Sequence, residues 1–201
     1  MMRGMQQDDL KDWPDHVAAV PLDKAYRLLN HGPTVLVSAS HGGVDNVMAA
    51  AWACALDFAP PKVTVVLDKS TRTRELVEAS GWWVLSVPNV SVAALTLGVG
   101  TDSARGTPDK LHKHGVGTFR TPEVPVPLVA GCSAWLACRL VPEPHNQQTY
   151  DLFIGEVVCA WADERVFRSG RWCFEDAPPE LRTLHYVAGG QFYVTGESLQ
   201  V

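Results

Sequence analysis

The run from Lys62 to Pro88 constrains the fold of this chain more than any other. Val63-Thr-Val-Val-Leu67 is rich in β-branched residues and reads as a buried strand over 62–68. Asp68-Lys-Ser-Thr-Arg-Thr-Arg-Glu-Leu76 follows at once, and the spacing predicts a helix over 73–80 with Leu76 and Val77 turned inward. Gly81 offers a C-cap, Trp82-Trp-Val-Leu-Ser-Val87 is the next strand, and Pro88 stops it. The turn between strand and helix is crowded with hydroxyls and cations. Its N–H groups, side-chain hydroxyls and helix dipole can all face one anion such as a phosphate. A single Ser or Thr there also serves as an ordinary helix cap.

A second stretch complements the first. Thr34-Val-Leu-Val-Ser belongs to a strand over 33–40, His41-Gly-Gly-Val-Asp is a turn, and 46–54 returns as the second arm of a hairpin. In that arm Asn46, Met48, Ala50 and Trp52 share one face, while Val47, Ala49, Ala51 and Ala53 share the other. Side chains this small let a planar ring approach the backbone, and they equally serve plain close packing. The Asn46 amide can donate and accept at the polar edge of a ring, or close the Gly42-Gly-Val-Asp45 turn.

Around these two stretches the chain is rich in short strands. Residues 23–30 read as a helix that Asp23 can cap, with Ala25, Leu28 and Leu29 as its apolar stripe. Asn89 or Ser91 can cap a helix reaching Leu97, which Gly98 closes, and residues 100–110 form a polar, turn-rich loop. Thr121-Pro-Glu-Val-Pro-Val-Pro127 must be extended, because its prolines alternate too closely for helix. Two long β segments, 131–141 and 149–161, flank a turn at Pro142-Glu-Pro-His-Asn146. Five or six strands with two or three helices predict a mainly β fold: a Greek-key antiparallel barrel with helices packed outside it. It forms one domain over 23–201 behind an N-terminal extension, 1–22.

Composition narrows the function. A net charge of −5 with no basic stripe argues against nucleic acid as a partner. No run approaches the ~18 apolar residues of a membrane span, so no membrane is expected. Met1 to Leu10 has no apolar core and turns acidic, so the sequence predicts no secretory signal and a cytoplasmic location. The five cysteines are odd in number and include no C-x-x-C, which reads as reduced thiols, most of them in strands. His112 and His114 point to different faces of a short helix, and no metal site is expected. There is no G-x-G-x-x-G after a strand and no P-loop, so a mononucleotide fits better than a dinucleotide cradle.

The ordered set of Asn46-Val-Met-Ala-Ala, Ser70-Thr-Arg-Thr-Arg-Glu-Leu, Glu78-Ala-Ser-Gly-Trp-Trp-Val-Leu-Ser-Val-Pro88, Asp109-Lys-Leu111 and Leu184-His-Tyr-Val-Ala-Gly-Gly-Gln-Phe-Tyr193 resembles the flavin reductase-like family. That family has the FMN-binding split-barrel fold, and the resemblance covers residues 24–193. Leu111 stands where the family motif has an aromatic. The resemblance implies that Asn46, Val47, Met48, Ala49 and Ala50 meet the flavin ring of FMN, and that Ser70, Thr71, Arg72 and Thr73 meet its phosphate. A homodimer would complete the pocket.

The activity implied is reduction of flavin by NADH or NADPH through hydride transfer, with reduced flavin supplied to a partner oxygenase or redox protein. Orientation carries such a step, so no catalytic side chain is singled out. Lys110 can meet the pyridine-nucleotide phosphates or remain a solvated loop lysine. His185 can line the open flavin face or be a satisfied structural histidine. Two alternatives keep the same scaffold: a non-enzymatic FMN electron carrier of flavoredoxin type, and a pyridoxine-phosphate-oxidase-like enzyme.

Overall fold

The computed structural model describes residues 14–201. Residues 1–13, most of the expected N-terminal extension, lie outside the described residues. The chain enters as β1 (Val17–Ala19), passes through α1 (Leu22–Ala25) and a 3-10 turn at Tyr26–Leu28, and forms β2 (Val35–His41) and β3 (Val44–Ala50). β4 (Ala53–Phe58) and β5 (Pro61–Val66) make a second hairpin, and α2 (Arg72–Ser80) leads to β6 (Trp82–Val87). Next come α3 (Ala93–Thr101), α4 (Lys110–Lys113), and the small hairpin of β7 (Thr118–Thr121) with β8 (Val124–Val129). β9 (Ala134–Val141), α5 (Pro144–Tyr150) and β10 (Leu152–Asp163) complete the main sheet. β11 (Phe167–Arg168) pairs with β12 (Arg171–Trp172), and β13 (Leu184–Ala188) with β14 (Gln191–Val194).

In the main sheet the hydrogen-bonded order is β3-β2-β6-β9-β10-β5-β4, every neighbour antiparallel. The two end strands are consecutive in sequence, with only Ala51 and Trp52 between them. Laid flat at ~4.8 Å per strand, the path would hold its ends about 29 Å apart. Three Cα steps from Ala50 to Ala53 reach at most ~11 Å. The sheet therefore curls until its edges nearly meet, and a seam runs beside Ala51 and Trp52.

Strand alternation sorts the side chains into two cores. The inner one draws on all strands of the path, including Val37, Val65, Trp83, Leu136 and Phe153, and is plugged by Leu76 and Val77 of α2. The outer one, with Leu36, Val47, Val84 and Trp135, is covered by Val126 and Leu128 of β8 and Val99 of α3. Each large apolar side chain fully buried in these cores contributes about 1.5–3 kcal/mol.

The cassette over 62–88 folds as its sequence predicts. α2 begins at the Thr71 cap, buries Leu76 and Val77, and ends at Gly81, whose φ of 73° is the left-handed conformation that favours glycine. The β2–β3 turn is likewise Gly42-Gly43, at φ 59° and 79°. The proline-rich segment is extended only in part: Val124 to Pro127 run in β8, whereas Pro122-Glu123 are the turn that reverses the chain from β7.

Elsewhere the structure departs from the sequence reading. The 46–54 arm is two strands, because the chain bends at Ala51-Trp52, where the Trp52 carbonyl accepts from Val66 N–H at 3.0 Å. The 142–146 turn belongs to a helical link: Pro144 sets the first turn of α5, and Asp151 at φ 55° ends it. Asp23 does not cap the first helix; Pro21 holds that position, and Asp23 sits in the first turn bonded to Lys24. Gly98 does not close α3, which continues to Thr101. A Cβ on Gly98 would stand 2.3 Å from His114 Nδ1, so this glycine makes room for a ring. Finally, β1 lies within the span read as extension yet pairs with β10 through Val17–Ala19.

Candidate functional site

The seam opens onto a groove of about 610 Å³. Its floor is the end of β3 and the link beyond it, Met48 to Trp52. One wall is α3, through Thr96, Leu97 and Gly100, and the other is the β13–β14 hairpin, through Tyr186, Val187 and Phe192. β3 is an edge strand paired with β2 alone, so its outer edge presents backbone N–H and C=O groups beside the groove. A Cβ on Gly100 would lie 3.0 Å from the Ala49 Cβ, so α3 rests directly on the alanine run. The small residues thus serve both purposes, packing at Ala49 and an open floor at Ala50 and Ala51. Val47 is fully buried in the outer core, leaving only its backbone at the edge.

Asn46 joins the two stretches singled out by sequence. It is buried, and its Nδ2 donates to Thr73 Oγ1 at 2.8 Å, tying β3 to the first turn of α2. In the turn itself, Asp68 Oδ1 accepts from Ser70 N–H at 2.8 Å and Ser70 Oγ at 2.6 Å. Those bonds, the hydroxyl's foremost, hold the Asp68 carboxyl below its usual range. Thr71 Oγ1 donates to the Asp68 carbonyl at 2.8 Å and accepts from Arg74 N–H at 3.4 Å. Arg72 pairs with Glu75. The turn is thus shaped before any ligand arrives, and the first N–H groups of α2 have no intrahelical partner.

The sequence pattern of the flavin reductase like domain matches residues 27–192. The chain belongs to the flavin reductase-like family. A crystal structure of an FMN-binding domain of a flavin reductases-like enzyme from Shewanella baltica OS155 is 61% identical, covers 92% of this chain and 97% of that one, and superposes with a TM-score of 0.91. The uncharacterized protein YddH of Escherichia coli (strain K12) is 44% identical over 181 residues, 89% of this chain and 94% of that protein. A split-barrel domain from Shewanella frigidimarina NCIMB 400, 13% identical over 98% of each chain, gives a TM-score of 0.70 and shares the fold.

Two residues that the family resemblance brought forward sit away from the groove. Lys110 is not a solvated loop lysine: it is 2% exposed, and its Nζ donates to the Val99 and Asp102 carbonyls at 3.1 and 3.0 Å. It closes the end of α3, and burial pulls its pKa down. His185 uses Nδ1–H on the Gly32 carbonyl and Nε2 on Thr195 Oγ1, both at 3.0 Å. Its neighbours Tyr186 and Val187 line the groove instead. Behind His185 lies His31, with ring centroids 5.6 Å apart. Burial, and secondarily His185, push the His31 pKa down to about 4.

Three site residues escaped the sequence reading. Tyr186 and Phe192 were signalled by their alternation across the Gly189-Gly190 turn. Arg74 was not signalled, since a cation in a first helical turn reads as solvated. Its side chain is buried, bonded to Glu78, Asp151 and the Leu67 and Gln147 carbonyls, and its guanidinium lies 5.2 Å over the Phe153 ring. It fixes the start of α2 against the α5–β10 junction.

Proposed function

We propose that this protein binds FMN along β3 and reduces it with NADH or NADPH. The observation that carries the reading is the Asn46–Thr73 hydrogen bond, which makes the groove floor and the hydroxyl-rich turn one rigid unit. The residues suit the group. Small side chains at Ala49, Ala50 and Ala51 leave room for a planar ring, and the unpaired edge of β3, with the backbone of Val47 and Met48, offers groups to its polar rim. Asn46 keeps that edge in register with the turn. Ser70, Thr71 and Arg72, with the N-terminus of α2, would hold the phosphate, while Thr73, fully buried against Asn46, would fix the turn from behind and not touch it.

Bound there, FMN supplies hydride acceptance from a pyridine nucleotide and electron delivery to an acceptor, such as an oxygenase or redox protein. The chain's own part is to orient and to shield. Trp52, Tyr186 and Phe192 provide apolar surfaces against which a nicotinamide can lie, and α3 forms the facing wall. Lys110 and His185, occupied as described, take no part in this assignment. A homodimer would cover the outward apolar residues Leu56 and Phe58 of β4 and the adjoining Trp52.

The test is anaerobic mixing of the FMN-loaded protein with NADH and NADPH. Bleaching of the flavin by either nucleotide is expected, with steady oxidation of that nucleotide when free FMN is added. If neither reduces the bound flavin while dithionite does, the protein is an electron carrier instead.

A further inference from the structure

Towards the β2–β3 turn, beyond Asn46, lies a second cavity of about 300 Å³, among Asp45, Asn46, Arg72, Glu75 and Arg105. Two guanidiniums converge there on one carboxylate: Arg72 takes Oε2 of Glu75 and Arg105 takes Oε1. Arg105 Nε also donates to the Ser70 carbonyl at 3.1 Å, which carries the 102–109 loop onto the turn. Glu75 is held below the usual carboxylate range, Arg72 being the largest cause. Asp45, the other carboxylate of the cavity, is already engaged, both of its oxygens accepting from Arg120. Arg72 and Arg105 therefore present two positive charges to one negative charge, in forks suited to a polyoxygen anion.

We infer that Arg105 is a second cation for the phosphate of the flavin, and that Glu75 is an internal anion that holds the two arginines until the phosphate displaces it. The inference rests on the proposed placement of FMN. A phosphate monoester carries about −1.5 to −2 charges and three acceptor oxygens. It satisfies two guanidiniums better than a single carboxylate does. The side chain of Glu75 is 36% exposed, so it can turn to water when displaced. Arg105 brings its loop with it, so phosphate recognition also fixes the 102–109 segment over the turn.

Flavin fluorescence titrations of the full chain test this, with FMN and riboflavin run side by side. Arg105→Ala is expected to weaken FMN about tenfold while leaving riboflavin within roughly twofold. Glu75→Gln is expected to tighten FMN about threefold or more without changing riboflavin, because the competitor is gone. Thermal unfolding without flavin establishes that each variant is folded, and Arg105→Lys, which keeps the charge, should fall between wild type and Arg105→Ala. An unchanged FMN-to-riboflavin ratio in Arg105→Ala overturns the inference. So does weaker FMN binding by Glu75→Gln, which would make Glu75 a strap for the loop. Wild-type protein that binds neither flavin, or both equally, would instead overturn the FMN placement itself, and the inference with it.

Discussion

The two ends of β3 are built to opposite specifications. At Asn46 the strand is locked: the amide is buried and its partner Thr73 is fully buried. At Ala50 the strand runs out into an apolar groove whose walls remain open, with Trp52 75% and Tyr186 41% exposed. A locked polar end fixes the geometry of whatever it binds. An open apolar end accepts partners of several shapes and lets them leave. The energetics differ accordingly, since losing a buried hydrogen-bond partner costs about 1–3 kcal/mol, whereas surface substitutions usually stay within ~0.5 kcal/mol.

The largest expected effect lies under the open end, where the hairpin bearing Tyr186 rests on the His31–His185 pair. His31 has a folded pKa of about 4 against an ordinary value of 6.5. The unfolded chain therefore binds its proton first, and the stability due to neutral His31 is intact above pH 6.5 and lost as pH falls toward 4. The full loss is about 3 kcal/mol, at ~1.4 kcal/mol per pKa unit. Urea unfolding at several pH values across this window should show the fall, and His31→Gln should flatten it. A wild-type curve as flat as the variant's would show that neutral His31 does not support that hairpin.

At the locked end, Asn46→Leu should destabilise by about 2 kcal/mol, because Thr73 loses its buried donor. Adding Thr73→Val should recover part of that loss, giving a coupling of about 1 kcal/mol in a double-mutant cycle. Additive effects would show that the two stretches are not joined as one unit. Lys110→Met is expected to cost about 1–2 kcal/mol, as two carbonyls at the end of α3 lose a donor. NADH and NADPH affinities should not move; a rise in KM for either would return Lys110 to the nucleotide site. Smallest in stability is Trp52→Ser, within ~0.5 kcal/mol for the chain itself. Light scattering should nevertheless show the proposed homodimer shifting toward monomer, and a dimer unaltered by the substitution would place the subunit contact elsewhere.

What was legible in the sequence follows the range of the forces involved. α2 could be read closely because its Thr71 cap, apolar pair and Gly81 stop are local signals. The split of 46–54 into β3 and β4 was not legible, because nothing local distinguishes Ala51-Trp52 from the alanines around it. The bend is set by closure of the sheet and by the Val66 bond. Gly98 misled for the same reason: its role is decided by His114, which lies beyond the intervening loop and α4. In the site, the alternation of Asn46, Met48 and Ala50 was visible, as was the hydroxyl-rich turn. The burial of Lys110 and the pairing of Arg105 with Glu75 were not, since both depend on where the 102–109 loop is carried.

The two-residue tie between β3 and β4 also bears on how this protein behaves among its own copies. In an open sheet these would be free edges, each a template for strand addition by a neighbouring chain. Because Ala51 and Trp52 hold them toward one another across the seam, and α3 lies over β3, intermolecular strand pairing is hindered without any change to the strands themselves. Lengthening that tie with a flexible insertion would leave every strand sequence intact, yet it should raise the tendency of the chain to aggregate.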